Sequence, residues 1–172
     1  PSVGGKCANL GRLSRLGVPV PSGFCVNIYG YRDFLAATDI WKTVDRFVRE
    51  IDGGNLQRLD SKCFELQDSF RSGQLPDSLT DSISKAYDQL VSYLGSPSAV
   101  AVRSSAIAED MFSASFAGQY DSYLGLRNKA GVLESIVRCW ASLWNPEAVQ
   151  YRRLSGIDHR IMAMAVVVQD LV

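Results

Sequence analysis

The stretch A-V-R-S-S-A-I-A-E-D-M-F-S-A-S-F-A-G-Q-Y-D-S-Y-L-G-L, residues 101–126, changes character twice. An apolar run, Ala99-Val100-Ala101-Val102, ends on Arg103. A segment dense in small residues follows (Ser104, Ser105, Ala106, Ala108, Ser113, Ala114, Ser115, Ala117, Gly118), and a second apolar alternation begins near Tyr123, Leu124 and Leu126. The pattern predicts strand, small-residue loop, strand. Small side chains let backbone N–H groups approach a bound group closely, and Gly118 adds conformational latitude. An arginine at the mouth of such a loop offers a planar fork of donors that matches phosphate oxygens. By itself the same pattern also describes a surface loop with a solvated arginine.

Towards the N-terminus, Gly4-Gly5-Lys6 precedes a helical pattern with Leu10, Leu13 and Leu16 on one face, and Gly17 stands where a helix-ending glycine belongs. Lys6 is therefore expected at a helix start, where backbone donors and the positive dipole end favour an anion. The spacing is not that of a Walker A loop. Val18-Pro19-Val20-Pro21 is extended because proline fixes φ and disfavours helix before it. Gly23 to Val26 reads as a short strand, and Asn27 as the N-cap of a helix through about Leu35. Residues 41–94 carry amphipathic helical patterns broken at Gly53-Gly54, near Gly73 and Pro76, and at Gly95. They read as scaffold, with Asp45, Glu50 and Asp68 on a solvated face.

Beyond the small-residue stretch, Asn128 is placed to cap a helix carrying Val132, Ile136, Trp140 and Leu143, with Trp140 and Trp144 turned to the core. Asn145-Pro146 breaks it and opens a second helix from Glu147 to Leu154. Residues 161–168 are apolar on both alternating faces, as in a strand buried on both sides. His159, the single histidine, is expected in a polar turn, as a turn or surface histidine.

The chain of 172 residues is 47% hydrophobic and 21% charged, a globular composition long enough for one core. Lys plus Arg and Asp plus Glu number 18 each, so the basic excess of a nucleic-acid binder is missing. Cys7, Cys25, Cys63 and Cys139 are scattered without a Cys-x-x-Cys pair, which argues against a zinc site and for free thiols. The sequence carries neither a secretory signal pattern nor an apolar run of membrane-spanning length, so no membrane partner and a cytoplasmic location are expected.

R-S-S-A-x-A-E-D (residues 103–110) followed by A-S-F-A-G-Q (114–119) resembles the ATP-binding domain of the phosphoenolpyruvate synthase / pyruvate phosphate dikinase family, which includes the rifampicin phosphotransferases. Val3 to Leu10, Gly17 to Phe24 and Val166 to Gln169 resemble further motifs of that family in the same order. The resemblance implies an α+β fold: the N-terminal portion of an ATP-grasp-like nucleotide-binding domain, with a mixed sheet and a helical block. One ATP-binding domain over 1–172 would then divide into a helix-rich part, 1–98, and a cleft-forming part, 99–172, and would continue past residue 172. It implies Lys6 and Arg103 as catalytic cations on the phosphates. Gly118, Ser122 and Gln169 would join them as ATP contacts, with Ser122 near the phosphates and Gln169 near the adenine. It implies Mg2+ whose carboxylate ligands lie outside this chain, with Glu109 and Asp110 organising the loop instead. The implied activity moves a phosphoryl group from ATP through a phosphohistidine on a downstream swivel domain to pyruvate or a related acceptor. Phosphorylation of rifampicin, or a nucleotide-binding module without catalysis, are the other outcomes the resemblance allows. Cys7 and Ile107 depart from the family's usual residues.

Overall fold

The computed structural model describes residues 2–54, 56–95, 99–106 and 120–171. Two β-rich stretches far apart in sequence have to find each other, and the apolar strand near the C-terminus is what joins them. Strand β1 (Gly23–Val26) pairs with β4 (Met164–Asp170), β4 with β2 (Val100–Ala106), and β2 with β3 (Ser122–Leu126), in the order β1-β4-β2-β3. Every pairing is antiparallel, so the expected mixed sheet is instead antiparallel throughout the described strands. The physical reason is connectivity: β4 enters between β1 and β2 running against both. β4 sits centrally and its first five residues are buried, which accounts for a run apolar on both faces.

The helices follow their local signals. Helix α1 (Gly4–Arg15) ends at Gly17, where φ is +75° and the Gly17 and Val18 N–H groups bond to the Ser14 and Leu13 carbonyls, a Schellman ending. Helix α2 (Ile28–Ala37) starts at Asn27, whose Oδ1 accepts from the Tyr29 N–H at 3.0 Å. Helices α3 (Ile40–Asp52), α4 (Leu59–Ser72) and α5 (Asp77–Leu94) form the helical block. Helix α6 (Lys129–Ser142) is capped by Asn128 Oδ1, which accepts from the Gly131 N–H at 2.8 Å, and α7 (Pro146–Leu154) begins on proline.

The sheet has two unlike faces. Val100, Val102, Val166 and Val168 point into the core against α2 and α6. There Trp140, fully buried, donates from Nε1 to the Met164 carbonyl at 3.1 Å and packs with Phe34 at 5.3 Å between ring centroids. Phe34 in turn meets Phe70 of α4 at 5.9 Å. On the opposite face, α1 lies across β2 and β4. Asp68 is exposed and Asp45 and Glu50 are half-buried at the surface, where they hold ion pairs with Arg71, Arg49 and Lys62.

His159 is in a turn, as expected, but not at the surface. It is buried, 4% exposed, in a 3₁₀ turn (His159–Ile161). Its Nδ1 accepts from Arg152 Nε at 3.1 Å, and Arg152, itself fully buried, also donates to the Leu143 carbonyl at 2.6 Å. The pull inward comes from Arg152, which needs acceptors once α7 packs it beneath Trp144. Among the described residues no helix is long and apolar enough to cross a membrane.

Candidate functional site: a cation-lined cleft between α1 and the sheet

Antiparallel register fixes which side chains share the α1 face. Arg103 lies opposite Val167 on one side and Ser122 on the other, and Val167 lies opposite Cys25. Residues directly across antiparallel strands point to the same face. Cys25, Val167, Arg103 and Ser122 therefore form one cross-sheet row, and Gly23, Gln169 and Ala101 the next.

Helix α1 is held over these rows by its first turn. Gly4 has a φ of +66°, and a Cβ there would collide with the Ser105 carbonyl oxygen. The Ser105 hydroxyl donates to the Val3 carbonyl at 3.2 Å and accepts from the Cys7 N–H at 3.3 Å. It stands in for the first i→i−4 bond of a helix whose own N-cap, Val3, has no capping side chain. Lys6 Nζ reaches the Ser104 carbonyl at 3.0 Å. The small residues after Arg103 thus serve partly to let the helix start approach the strand.

Between α1 and the sheet lies a cavity of about 260 Å³ walled by Lys6, Asn9, Leu10, Leu13, Arg103, Val167 and Gln169. Lys6 and Arg103, some hundred positions apart in sequence, line the same space, and among the described residues no acidic one shares the wall. Among the described residues no side chain partners Arg103, and it is exposed. Gln169 is half-buried, and its Oε1 is buried without a hydrogen-bond partner among the described residues. A second recess of about 420 Å³ adjoins, sharing Leu10, Val167 and Gln169.

Of the residues singled out in the sequence, Lys6, Arg103 and Gln169 meet at this cavity. Ser122 stands beside Arg103 on the same face but is outside the cavity wall. Gly118, Glu109, Asp110 and Ile107 lie outside the described residues. Asn9, Leu10 and Leu13 were missed as wall residues. The signal for them was the spacing from Lys6: three, four and seven residues on, one face of a helix.

A helical block on one side of an antiparallel sheet, with a two-cation cleft on the other, defines an α+β domain shaped to receive an anionic ligand. The chain belongs to the pyruvate phosphate dikinase AMP/ATP-binding domain family, and the match covers residues 1–172. Similar proteins include a probable phosphoenolpyruvate synthase of Methanothermobacter thermautotrophicus, 39% identical over 99% of this chain, and a rifampicin phosphotransferase of a Streptomyces species, 44% identical over 99%. The phosphoenolpyruvate synthase of Aeropyrum pernix is 39% identical over the whole chain. This chain spans 25%, 19% and 21% of those three proteins' lengths.

Proposed function

We propose that the cleft binds ATP, with Lys6 and Arg103 on the phosphates and Gln169 toward the adenine, and that the chain is the N-terminal portion of an ATP-grasp-like nucleotide-binding domain. The observation that carries this reading is the convergence on one cavity of two cations and an amide oxygen that has no partner among the described residues. A nucleotide supplies the complement of each: phosphate oxygens for the cations and an exocyclic amino group for the Gln169 oxygen. Phosphoryl transfer depends mainly on positioning and charge neutralisation, which fixed cations provide. Lys6 is pre-positioned by its bond to the Ser104 carbonyl. Arg103 is the more adaptable partner. We place Ser122 and Gly118 as further contacts near the phosphates.

In the whole protein, ATP would phosphorylate a histidine on another domain, and the phosphoryl group would pass to pyruvate or a related acceptor. The similarity to named phosphoenolpyruvate synthases supports this acceptor class. The similarity to rifampicin phosphotransferases supports the antibiotic as the second reading. Among the described residues no group of three or more His, Cys, Asp or Glu side chains converges, and we place the carboxylates that would hold Mg2+ outside this chain.

Calorimetry with a non-hydrolysable ATP analogue tests the cleft. Arg103→Ala should weaken binding by roughly 1.5–3 kcal/mol, about ten- to a hundredfold, while circular dichroism stays unchanged because the side chain is exposed. Equal affinities for variant and wild type would remove Arg103 from the phosphate site.

A further inference from the structure

The recess of about 420 Å³ beside the nucleotide cavity is walled by two cysteines that the proposed function does not use. Cys7 comes from the first turn of α1 and Cys25 from β1. Cys25 occupies the cross-sheet row that faces α1, beside Val167. Its thiol lies 4.0 Å from the Val3 carbonyl, in the turn that opens α1, and it walls the same recess as Cys7. Both residues are half-buried free thiols, so each is reachable from the recess.

We propose that Cys7 and Cys25 are a redox-modification site: they form a reversible intramolecular disulfide by exchange with a small disulfide oxidant such as oxidised glutathione. Both residues wall one recess, and the Cys25 thiol already touches the turn from which the helix carrying Cys7 starts. Closing to an S–S bond of about 2.05 Å draws α1 toward β1. The division of labour follows from the surroundings. Cys7 sits at a helix N-terminus, which favours an anion, and the Cys25 thiol also holds its pKa below the usual range. Cys25 is pushed well up, by Cys7 and by burial. Cys7 is therefore the attacking sulfur. Its thiolate displaces one glutathione thiolate and leaves Cys7 joined to the other half. Cys25, losing its proton, then attacks the Cys7 sulfur and expels the second glutathione. The protein dithiol loses two electrons and two protons, and one oxidised glutathione becomes two reduced ones. The product ties the helix that carries Lys6 to the edge strand β1.

Cys63 and Cys139 serve as internal controls. Both are fully buried, with thiols raised chiefly by burial, Cys63 to about 12. The test uses the protein at its natural length in a series of reduced-to-oxidised glutathione ratios. Free thiols are trapped by alkylation and mapped by peptide mass. The expected result is joint loss of alkylation at positions 7 and 25, a linked peptide pair two hydrogen masses lighter than the sum of its parts, and reversal by dithiothreitol. Cys25→Ser should accumulate a glutathione adduct on Cys7. If that variant does not fold, the wild-type map decides alone. Alkylation at 7 and 25 that persists across the whole series, or linkage only between two molecules, overturns the proposal. Neither readout involves nucleotide, so the dithiol and the ATP cleft can fail separately.

Discussion

Gly4 shows how one missing methyl group positions a side chain, that of Lys6, at the cleft. Its φ of +66° already disfavours any L residue, and a Cβ would drive into the Ser105 backbone. Gly4→Ala should therefore cost about 1–2 kcal/mol from the left-handed conformation alone, and more from the collision. The damage should not stay local. Ser105 holds the start of α1 through Val3 and Cys7, and Lys6 lies between those two contacts. The expected outcome is a lower urea midpoint together with weaker nucleotide-analogue binding. A variant that loses stability but keeps full affinity would show that α1 is held over the cleft by something other than its first turn. Gly11→Ala is the matched control, since a Cβ there meets nothing within 4 Å.

At the scale of elements, the caps test how far local chemistry sets each boundary. Asn128 Oδ1 satisfies the Gly131 N–H, so Asn128→Ala should cost about 1 kcal/mol, read as a shift in urea midpoint with unchanged slope. No shift would mean that packing of Trp140 and Ile136 alone starts α6. Such boundaries were legible in the sequence because their causes lie within a few residues: Asn27, Gly17, Asn128 and Pro146 each act on their own turn. The buried strand was legible from the two-faced apolarity of 161–168, although it runs from 164 to 170 and Ile161 belongs to the preceding turn. The pairing was not. β1 and β4 meet across some 140 positions, and nothing local marks β4 as antiparallel to both of its neighbours. The cleft was half legible. Lys6 and Arg103 stood out by chemistry and Gln169 only through the family resemblance, whereas Asn9 was visible only as a helical spacing. The leucines of α1 show the same limit from the other side: their stripe predicts a buried face, yet Leu13 is 40% and Leu16 69% exposed. Leu13 instead walls the cavity.

For the molecule as a whole, one buried pair couples stability to pH. His159 and Arg152 are two potential cations packed together in the interior, held by the Leu143 carbonyl at the end of α6 and by the Trp144 ring. Burial first, and then the Arg152 charge, lowers the His159 pKa from the usual 6.5 to about 4, against the smaller opposing pull of Asp52 and Asp158. Arg160, also nearby, acts in the same direction as Arg152. The histidine is thus neutral in the folded chain, accepting at Nδ1. Above pH 6.5 it is neutral in both states and costs nothing. As pH falls from 6.5 toward 4, the unfolded chain binds a proton that the folded chain refuses, so the fold loses stability across that window. Between about pH 7 and pH 4.5 the loss from this group should be roughly 2–3 kcal/mol. Urea unfolding at the two pH values measures it, with His159→Gln as the comparison. The glutamine amide oxygen can still accept from Arg152 Nε but has no proton to gain in this range. The variant's stability should therefore change less with pH than that of the wild type, by about that amount. Equal losses in the two proteins would place the acid sensitivity in carboxylates such as Glu50, whose pairing with Lys62 holds its pKa down, and not in the buried histidine.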